Sequence, residues 1–250
     1  MTGESAPLRA PGADELLAAW ERGQALWPGH PGRIDEVLRA LGVEDPGGRP
    51  LGGRNRLLLA GRALLFGARA ELVAHCPACG EELEAEVSVV DLLERAPGAE
   101  DAGTAVRIDG YDVRLRLPTG ADLAGLPGEV DAATALLLER CVLSARRAGE
   151  PVAAAELPPD VVDAVDRALA EADPASELGL TVICPACAGT SRLALDPAAL
   201  LWEELDAWAW RLLAEVHGLA TAYGWSEAEV LRLSPARRQA YLHLCGAGAA

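Results

Sequence analysis

Apolar residues recur every three to four positions in several stretches of the chain, which is the spacing of a buried helix face. This period predicts helices over residues 14–26, 34–41, 54–66, 130–144 and 159–172. The longest apolar stripe follows Asp196-Pro197, an N-cap residue with proline at the first helical position. Its members are Leu201, Leu205, Trp208, Leu212, Val216, Leu219 and Tyr223. Residues 1–50 and 196–250 are therefore predicted to be helical regions.

Alternating apolar and polar residues replace the helical period in three places, as expected for half-buried strands. Two of these places flank a bend that contains a cysteine pair. They cover residues 70–76 and 83–89, and residues 180–183 and 191–195. The third flanks Asp109-Gly110, the pair preferred in type I′ hairpin turns because both positions need a positive φ. The chain is therefore predicted to be α+β, with β-hairpins between its helical ends.

Three tryptophans, Trp202, Trp208 and Trp210, fall on the longest predicted helix. Their spacing does not allow all three to share one helix face, and Trp208 alone belongs to the apolar stripe. Core packing is the favoured interpretation for the other two. The alternative is an exposed aromatic anchor for a partner protein, where tryptophan is enriched.

The balance of charged residues narrows the range of partners. The chain has 22 Lys plus Arg residues against 38 Asp plus Glu, which gives a formal net charge of −16. A polyanion such as nucleic acid is normally bound by a basic face that displaces counterions. We therefore expect no nucleic-acid partner, whereas protein partners are compatible with a strongly acidic chain.

Neither a membrane span nor a secretory signal is visible in the sequence. No apolar run approaches the roughly 18–20 residues that a helix needs to cross a bilayer. Residues 1–13 lack a positively charged segment followed by a long apolar one. The expected location is the cytoplasm, and no membrane partner is expected. In that reducing compartment, closely spaced cysteines are metal ligands more often than disulfides.

Two Cys-Pro-Ala-Cys motifs carry the clearest chemical signal. Cys76 and Cys79 form the first and Cys184 and Cys187 the second, each between two alternating runs. A turn of this kind at a strand end lets both sulfurs face one point, because proline fixes φ and a glycine after the second cysteine permits a tight reversal. Two such knuckles supply the four thiolates of a tetrahedral zinc site, and the layout predicts a zinc ribbon.

The two knuckles depart from the usual ribbon in their separation and in one turn residue. The 104 residues 80–183 separate them, against a usual spacing of about 15–20. The entropy cost of closing a loop grows only logarithmically with its length. Residues 51–195 are therefore predicted to form a zinc-ribbon domain with a hairpin and helices inserted at 96–178. Ala188 stands where the first knuckle has Gly80, which predicts a slightly altered second turn.

Other uses of the four thiols stay open from spacing alone. Iron fits the same thiolate cage, and a redox-active dithiol or a disulfide is a third interpretation. Redox-active motifs usually occur once, at a helix N-terminus, whereas these motifs follow strands in hairpins. We favour zinc in a structural role, because a four-thiolate site has no open position for water or substrate. Cys141, Cys245 and His75 are not expected to be ligands.

Catalytic signatures are missing from the sequence. The chain has no G-x-S-x-G, H-E-x-x-H or phosphate-cradling G-x-x-x-x-G-K motif. None of its four histidines pairs with a convincing nucleophile. We therefore expect a protein that is not an enzyme and has no catalytic residues.

Several patches, in a fixed order along the chain, resemble one known family. They cover about residues 50 to 243 and comprise residues 51–54 and 66–67, the first knuckle with residues 82–84, residues 115–123, and residues 208–217, 223–225 and 233–241. Together they resemble the baseplate hub assembly chaperones of myophage type, which are encoded with contractile phage tails and phage-derived injection systems. The first fifty residues match this family only weakly.

The resemblance implies a non-enzymatic role in building a baseplate or its hub. The expected partners are baseplate or hub proteins of a contractile particle, bound by protein–protein docking. Two other interpretations of the site are a zinc-ribbon factor that binds nucleic acid or acts in transcription, and a thiol redox protein. The net charge of −16 speaks against the first.

Overall fold

The computed structural model describes residues 7–97 and 103–247. Its α-helices are α1 Ala13–Gln24, α2 Gly32–Ala40, α3 Leu51–Phe66, α4 Val89–Arg95, α5 Val130–Cys141, α6 Pro159–Ala172, α7 Pro197–Tyr223, α8 Glu227–Leu231 and α9 Pro235–Ala247. Helix α7 begins as its sequence predicts, because the Asp196 side chain accepts hydrogen bonds from the amides of Ala198 and Ala199. The sequence also predicts a loop at 96–104 and a frayed end at 246–250, and both segments lie partly outside the described residues.

The strands form small antiparallel sheets. Two of these sheets are hairpins, β1 Arg69–His75 with β2 Glu82–Ser88, and β7 Gly179–Ile183 with β8 Thr190–Ala194. Another has four strands in the order β3 Thr104–Ile108, β4 Tyr111–Leu115, β5 Val142–Arg147 and β6 Glu150–Pro151. Helices and antiparallel sheets together make the chain α+β, as its sequence predicts.

The turn between β3 and β4 has the predicted geometry. Asp109 and Gly110 both have positive φ angles, of 49° and 80°. A type I′ turn requires this at its two central positions, and its twist matches that of the flanking strands. The hairpin prediction at Asp109-Gly110 is confirmed.

The predicted helix at 130–144 is wrong at its C-terminal end. Helix α5 ends at Cys141, and Val142 begins β5. Strand β5 pairs with β4, with Ala145 opposite Val113 in the register. The leucines of α5 carry an apolar pattern into this segment, but the pairing with a strand 30 residues earlier decides its conformation.

The predicted strand at 83–89 is displaced by one residue from β2, and β2 is followed by a helix that the sequence pattern did not predict. Strand β2 ends at Ser88, whose hydroxyl accepts a hydrogen bond from the Asp91 amide at 3.3 Å. This N-cap starts α4, and Val89 is fully buried as its first residue. The apolar residue that prolongs the strand pattern therefore belongs to a helix.

The largest apolar core lies between α1, α2, α3 and α7. Leu17 of α1, Val37 of α2, Leu58 of α3, and Leu205 and Leu212 of α7 are all buried in it. Segments 1–50, 51–195 and 196–250 therefore share one core, and the division of the chain into three domains stays a prediction. A second core lies between the four-stranded sheet and α6.

The three tryptophans of α7 differ in their surroundings. Trp202 and Trp208 pack against the largest core, and the Arg33 guanidinium lies 4.1 Å from the centre of the Trp202 ring. Trp210 is 61% exposed and meets Trp20 edge to face at 6.0 Å. Core packing therefore holds for Trp202 and Trp208, and the favoured interpretation is wrong for Trp210. No helix in residues 7–97 and 103–247 is long and apolar enough to cross a bilayer.

Helix α3 is hydrogen-bonded to the segment after α6 near its N-terminus and to the start of β1 near its C-terminus. At its N-terminus the Gly52 amide donates a 2.7 Å hydrogen bond to Asp173, which follows α6. Near its C-terminus Arg62 donates to both carboxylate oxygens of Glu204 in α7 and to the carbonyls of Gly67 and Arg69 at the start of β1. Buried polar contacts therefore fix the position of this helix at both ends.

Gly52 and Gly53 offer a matched pair of substitutions in the first turn of α3. A methyl group on Gly52 would lie 1.8 Å from Oδ1 of Asp173, whereas one on Gly53 meets no atom within 4 Å. We expect Gly52→Ala to lower the free energy of unfolding by about 2 kcal/mol through overpacking. Gly53→Ala should raise it by about 0.5–1 kcal/mol, because alanine is the better helix former. Urea denaturation of both variants measures the difference, and changes of the same sign would contradict the close approach.

Candidate metal centre

The bends of the two cysteine hairpins meet at one point. Cys76 and Cys79 lie between β1 and β2, and Cys184 and Cys187 lie between β7 and β8. The four sulfur atoms all lie within 4.8 Å of one another. The structure therefore brings together the four residues that the sequence predicts as metal ligands, from segments 104 residues apart.

The distances between the sulfurs suit a metal and not a disulfide. Sγ of Cys76 lies 3.8 Å from Sγ of Cys187, and Sγ of Cys79 lies 3.6 Å from Sγ of Cys184. Zinc–sulfur bonds of about 2.3 Å in a tetrahedron place the sulfurs about 3.8 Å apart. A disulfide needs about 2.05 Å, and all four cysteines are free thiols. The four thiols could therefore hold a metal ion with little movement.

The two knuckles have the same backbone geometry. In the first, the Cys76 amide donates to the Glu81 carbonyl, and the Gly80 amide donates to the Cys76 carbonyl. The second knuckle repeats both bonds, from Cys184 to the Gly189 carbonyl and from Ala188 to the Cys184 carbonyl. This hydrogen-bond pattern places the second cysteine of each motif beside the first.

The expectation of an altered second turn is wrong. Gly80 has a φ of 76° and Ala188 a φ of 55°, so both residues take the left-handed conformation. Gly189 does not replace Ala188 in this role. Alanine adopts the strained conformation there because the surrounding hydrogen bonds require it.

Substitutions at Gly80 and Ala188 should therefore have opposite effects. Gly80→Ala should lower the free energy of unfolding by about 1 kcal/mol, through backbone strain alone, since a methyl group there meets no atom within 4 Å. Ala188→Gly should raise it by up to about 1 kcal/mol by relieving the same strain. Thermal denaturation in the presence of zinc measures both. A loss of stability in Ala188→Gly would show that the second turn is not strained.

The surroundings of Cys76 and Cys79 shift the pKa values of these two thiols in opposite directions. The amides of Ala78 and Cys79 donate to the Cys76 sulfur and lower the pKa of that thiol to about 7. The Glu81 amide acts likewise on Cys79, but the thiols of Cys184 and Cys187 outweigh it and raise the pKa of Cys79 to about 12. Four sulfurs this close repel one another when ionised. A divalent cation removes this repulsion, because thiolates are the form that binds metal.

One side of the site is buried and the other faces solvent. Cys76 and Cys184 are 2% and 1% exposed, whereas Cys79 and Cys187 are exposed. The buried pair packs against side chains from three strands, namely Leu83, Val182 and Leu193. The site therefore lies at the end of a small apolar contact between the two hairpins.

The bases of the two hairpins rest on the same support. Leu59 of α3 and Val89 and Leu92 of α4 are buried together, and Val87 of the first hairpin and Leu180 of the second pack against them. A cavity of about 200 Å³ between the hairpins, lined mostly by apolar side chains, separates this contact from the cysteines. The hairpins belong to different sheets, so side-chain packing and the cysteine cluster hold them together.

The sequence pattern missed Arg62 as a residue that positions the site. Its guanidinium fixes the start of β1 relative to α7, and its side chain is 4% exposed. The available signal is weak: Arg62 is one of three arginines in the predicted helix 54–66, and it follows Gly61 among leucines and alanines. Its partner Glu204 is 142 residues away in the chain, so the pairing itself had no sequence signal.

The other two cysteines and His75 are not part of the four-sulfur cluster, as the sequence predicts. Cys141 is buried at the end of α5, where burial raises the pKa of its thiol. Cys245 lies in α9, and neither it nor His75 belongs to the four-sulfur cluster.

Comparisons of the chain with protein-family models, curated proteins and solved structures find no match.

Proposed function

We propose that Cys76, Cys79, Cys184 and Cys187 bind one Zn²⁺ and that the two knuckles form a zinc ribbon. The close spacing of the four sulfurs, all within 4.8 Å of one another, supports this, because zinc in structural sites is bound by four such ligands. Iron fits the same cage, so metal analysis of protein purified without added metal is the test. One zinc ion per chain is the expected result, and iron or no metal would overturn the assignment.

We further propose that the protein is a non-enzymatic structural or assembly protein of a contractile tail or injection-system baseplate. The observation that carries the proposal is the four-thiolate centre itself, which joins two distant hairpins above a common helical support. A zinc ion with four thiolates has no open position for a substrate, so its contribution is rigidity. The ordered sequence patches that resemble baseplate hub assembly chaperones supply the particular setting.

The charge around the centre favours protein partners. The exposed side chains of β2 include Glu82, Glu84 and Glu86, and Glu81 precedes them in the turn. A nucleic-acid face of a zinc ribbon would need basic residues in these positions. A filter-binding assay at low salt tests this point, and tight binding of DNA would overturn the proposed function.

The direct test is affinity purification of the tagged protein from its native host, followed by mass spectrometry. We expect sheath, tube, spike or baseplate wedge proteins, and none of these with the tag alone. Recovery of polymerase subunits would instead favour a transcription-associated factor. Rapid turnover of a model disulfide, lost in Cys76→Ser, would favour a thiol redox protein.

A further inference from the structure

A groove between α5 and α6 lies away from the metal centre. Its walls are mainly apolar, and they include Leu137 and Leu138 of α5 and Val162, Val165 and Leu169 of α6. Helix α5 packs loosely here: the structure describes all twelve of its residues, and Cys141 alone among them is buried. A helix that leaves most of its leucine face partly exposed has apolar surface available for a partner.

One end of the groove contains a buried carboxylate with an unused oxygen. Asp173 lines the groove and is 1% exposed. Its Oδ2 accepts the Gly52 amide hydrogen bond, while Oδ1 has no hydrogen-bond partner within the described part of the chain. Burial raises the pKa of Asp173, because the charged form of the carboxyl group loses its hydration there. A buried acceptor that lacks a donor is unfavourable, and a ligand that supplies one is favoured.

The rim of the groove is acidic. Asp166 and Glu177 are exposed at its edge, and the described residues that line it include no arginine, lysine or histidine. Apolar walls with three carboxylates suit a ligand that is apolar and positively charged. A second copy of this chain offers the same acidic groove and a net charge of −16, so it is a poor occupant.

The size of the groove suits side chains of a protein segment. Its volume is about 240 Å³, below the roughly 300–1,000 Å³ of pockets that enclose a drug-sized molecule. Amphipathic helices dock in such grooves through apolar anchors at spacings of three to four residues. An arginine or lysine on the same helix can reach a carboxylate at the groove's end.

We propose that the α5–α6 groove docks an amphipathic helix of a partner protein, with apolar side chains between the two helices and a basic side chain directed at Asp173. This rests on the proposed function, because it names the partner chemistry of an assembly protein. The acidic rim then increases the rate of encounter with the basic segment.

The test uses the full-length zinc-bound protein and a displayed library of amphipathic helices about 15 residues long. We expect selected peptides to carry apolar residues at helical spacing together with arginine or lysine. The reversal Asp166→Arg with Glu177→Arg should weaken their binding at least tenfold, measured by calorimetry. A matched control is Asp163→Arg with Glu171→Arg, which changes the charge of the same region equally at exposed positions that do not line the groove.

Asp173→Asn tests the buried carboxylate separately. The amide can still accept from Gly52 but no longer offers a charged acceptor, so peptide affinity should fall roughly tenfold. Melting temperature and zinc content of each variant show that it is folded. Peptides without a basic residue, equal losses in the reversal and its control, or no binders at all would overturn the groove assignment.

These results are distinguishable from a failure of the proposed function. If selected peptides bind the groove but no baseplate protein accompanies the tagged chain, the groove stands and the baseplate role fails. If baseplate proteins accompany the wild type and the Asp166→Arg, Glu177→Arg variant equally, the baseplate role stands and the groove assignment fails.

Discussion

Cys184→Ser is expected to yield a protein that aggregates or is rapidly digested by protease. A four-thiolate zinc site contributes on the order of 10 kcal/mol to folding, which is comparable to the whole stability of a domain, about 5–15 kcal/mol. Cys184 is buried between the hairpins, so the serine hydroxyl also lies in an apolar contact without a metal to bind it. Loss of metal and loss of the folded state should occur together.

Metal content, thermal melting and limited proteolysis measure this effect. Cys245→Ser is the matched control, because it makes the same chemical change outside the four-sulfur cluster. Treatment of the wild type with a metal chelator should expose the apolar side chains that line the cavity between the hairpins. A dye that fluoresces when it binds exposed apolar surface should therefore become brighter. A Cys184→Ser protein with normal melting would refute the structural role of the metal.

Arg62→Met is expected to lower the free energy of unfolding by about 3 kcal/mol, the cost of removing one partner from a buried ion pair. The Arg62 side chain is 4% exposed, and its Nε and Nη2 donate to Glu204 at 2.8 Å and 2.6 Å. Its Nη1 also donates to the carbonyl of Gly67 at 2.6 Å, beside the first hairpin. Methionine fills the space but donates no hydrogen bond to these acceptors.

Arg69→Met is the matched control for this prediction. Arg69 pairs with Glu86, but its side chain is 77% exposed, so the pair contributes at most about 0.5 kcal/mol. Arg62→Lys should keep the charge and lose the two-pronged contact, and its stability should lie between those of the wild type and Arg62→Met. Equal stability of Arg62→Met and Arg69→Met in urea denaturation would show that the buried contacts do not hold the hairpin.

Features with local causes could be predicted from the sequence. Helix α7 carries its own N-cap at Asp196 and a long apolar stripe, and the turn at Asp109-Gly110 depends on two residues that tolerate a positive φ. The four metal-site cysteines could be predicted together, because each motif places its own pair of sulfurs and the two motifs are nearly identical.

Features with distant causes could not be predicted. Strand β5 depends on pairing with β4, and the hydrogen bond from Gly52 to Asp173 joins residues 121 positions apart. Gly189, next to Ala188, suggested that the second turn differs from the first. The hydrogen bonds of the knuckle instead impose the left-handed conformation on Ala188 itself. Residue preference is a weak guide where such contacts decide the backbone.

The meeting of the two hairpins also has a consequence for synthesis of the chain. Cys79 and Cys184 are 105 positions apart, so the first knuckle leaves the ribosome well before the second exists. At about 5–20 residues per second, that interval lasts roughly 5–20 s. During this time the nascent chain offers two of the four clustered thiols and no complete four-cysteine cluster. A metal ion held by all four cysteines therefore requires that translation has passed Cys187, and by then the residues of α3 and α4 on which the second hairpin packs have already been synthesised.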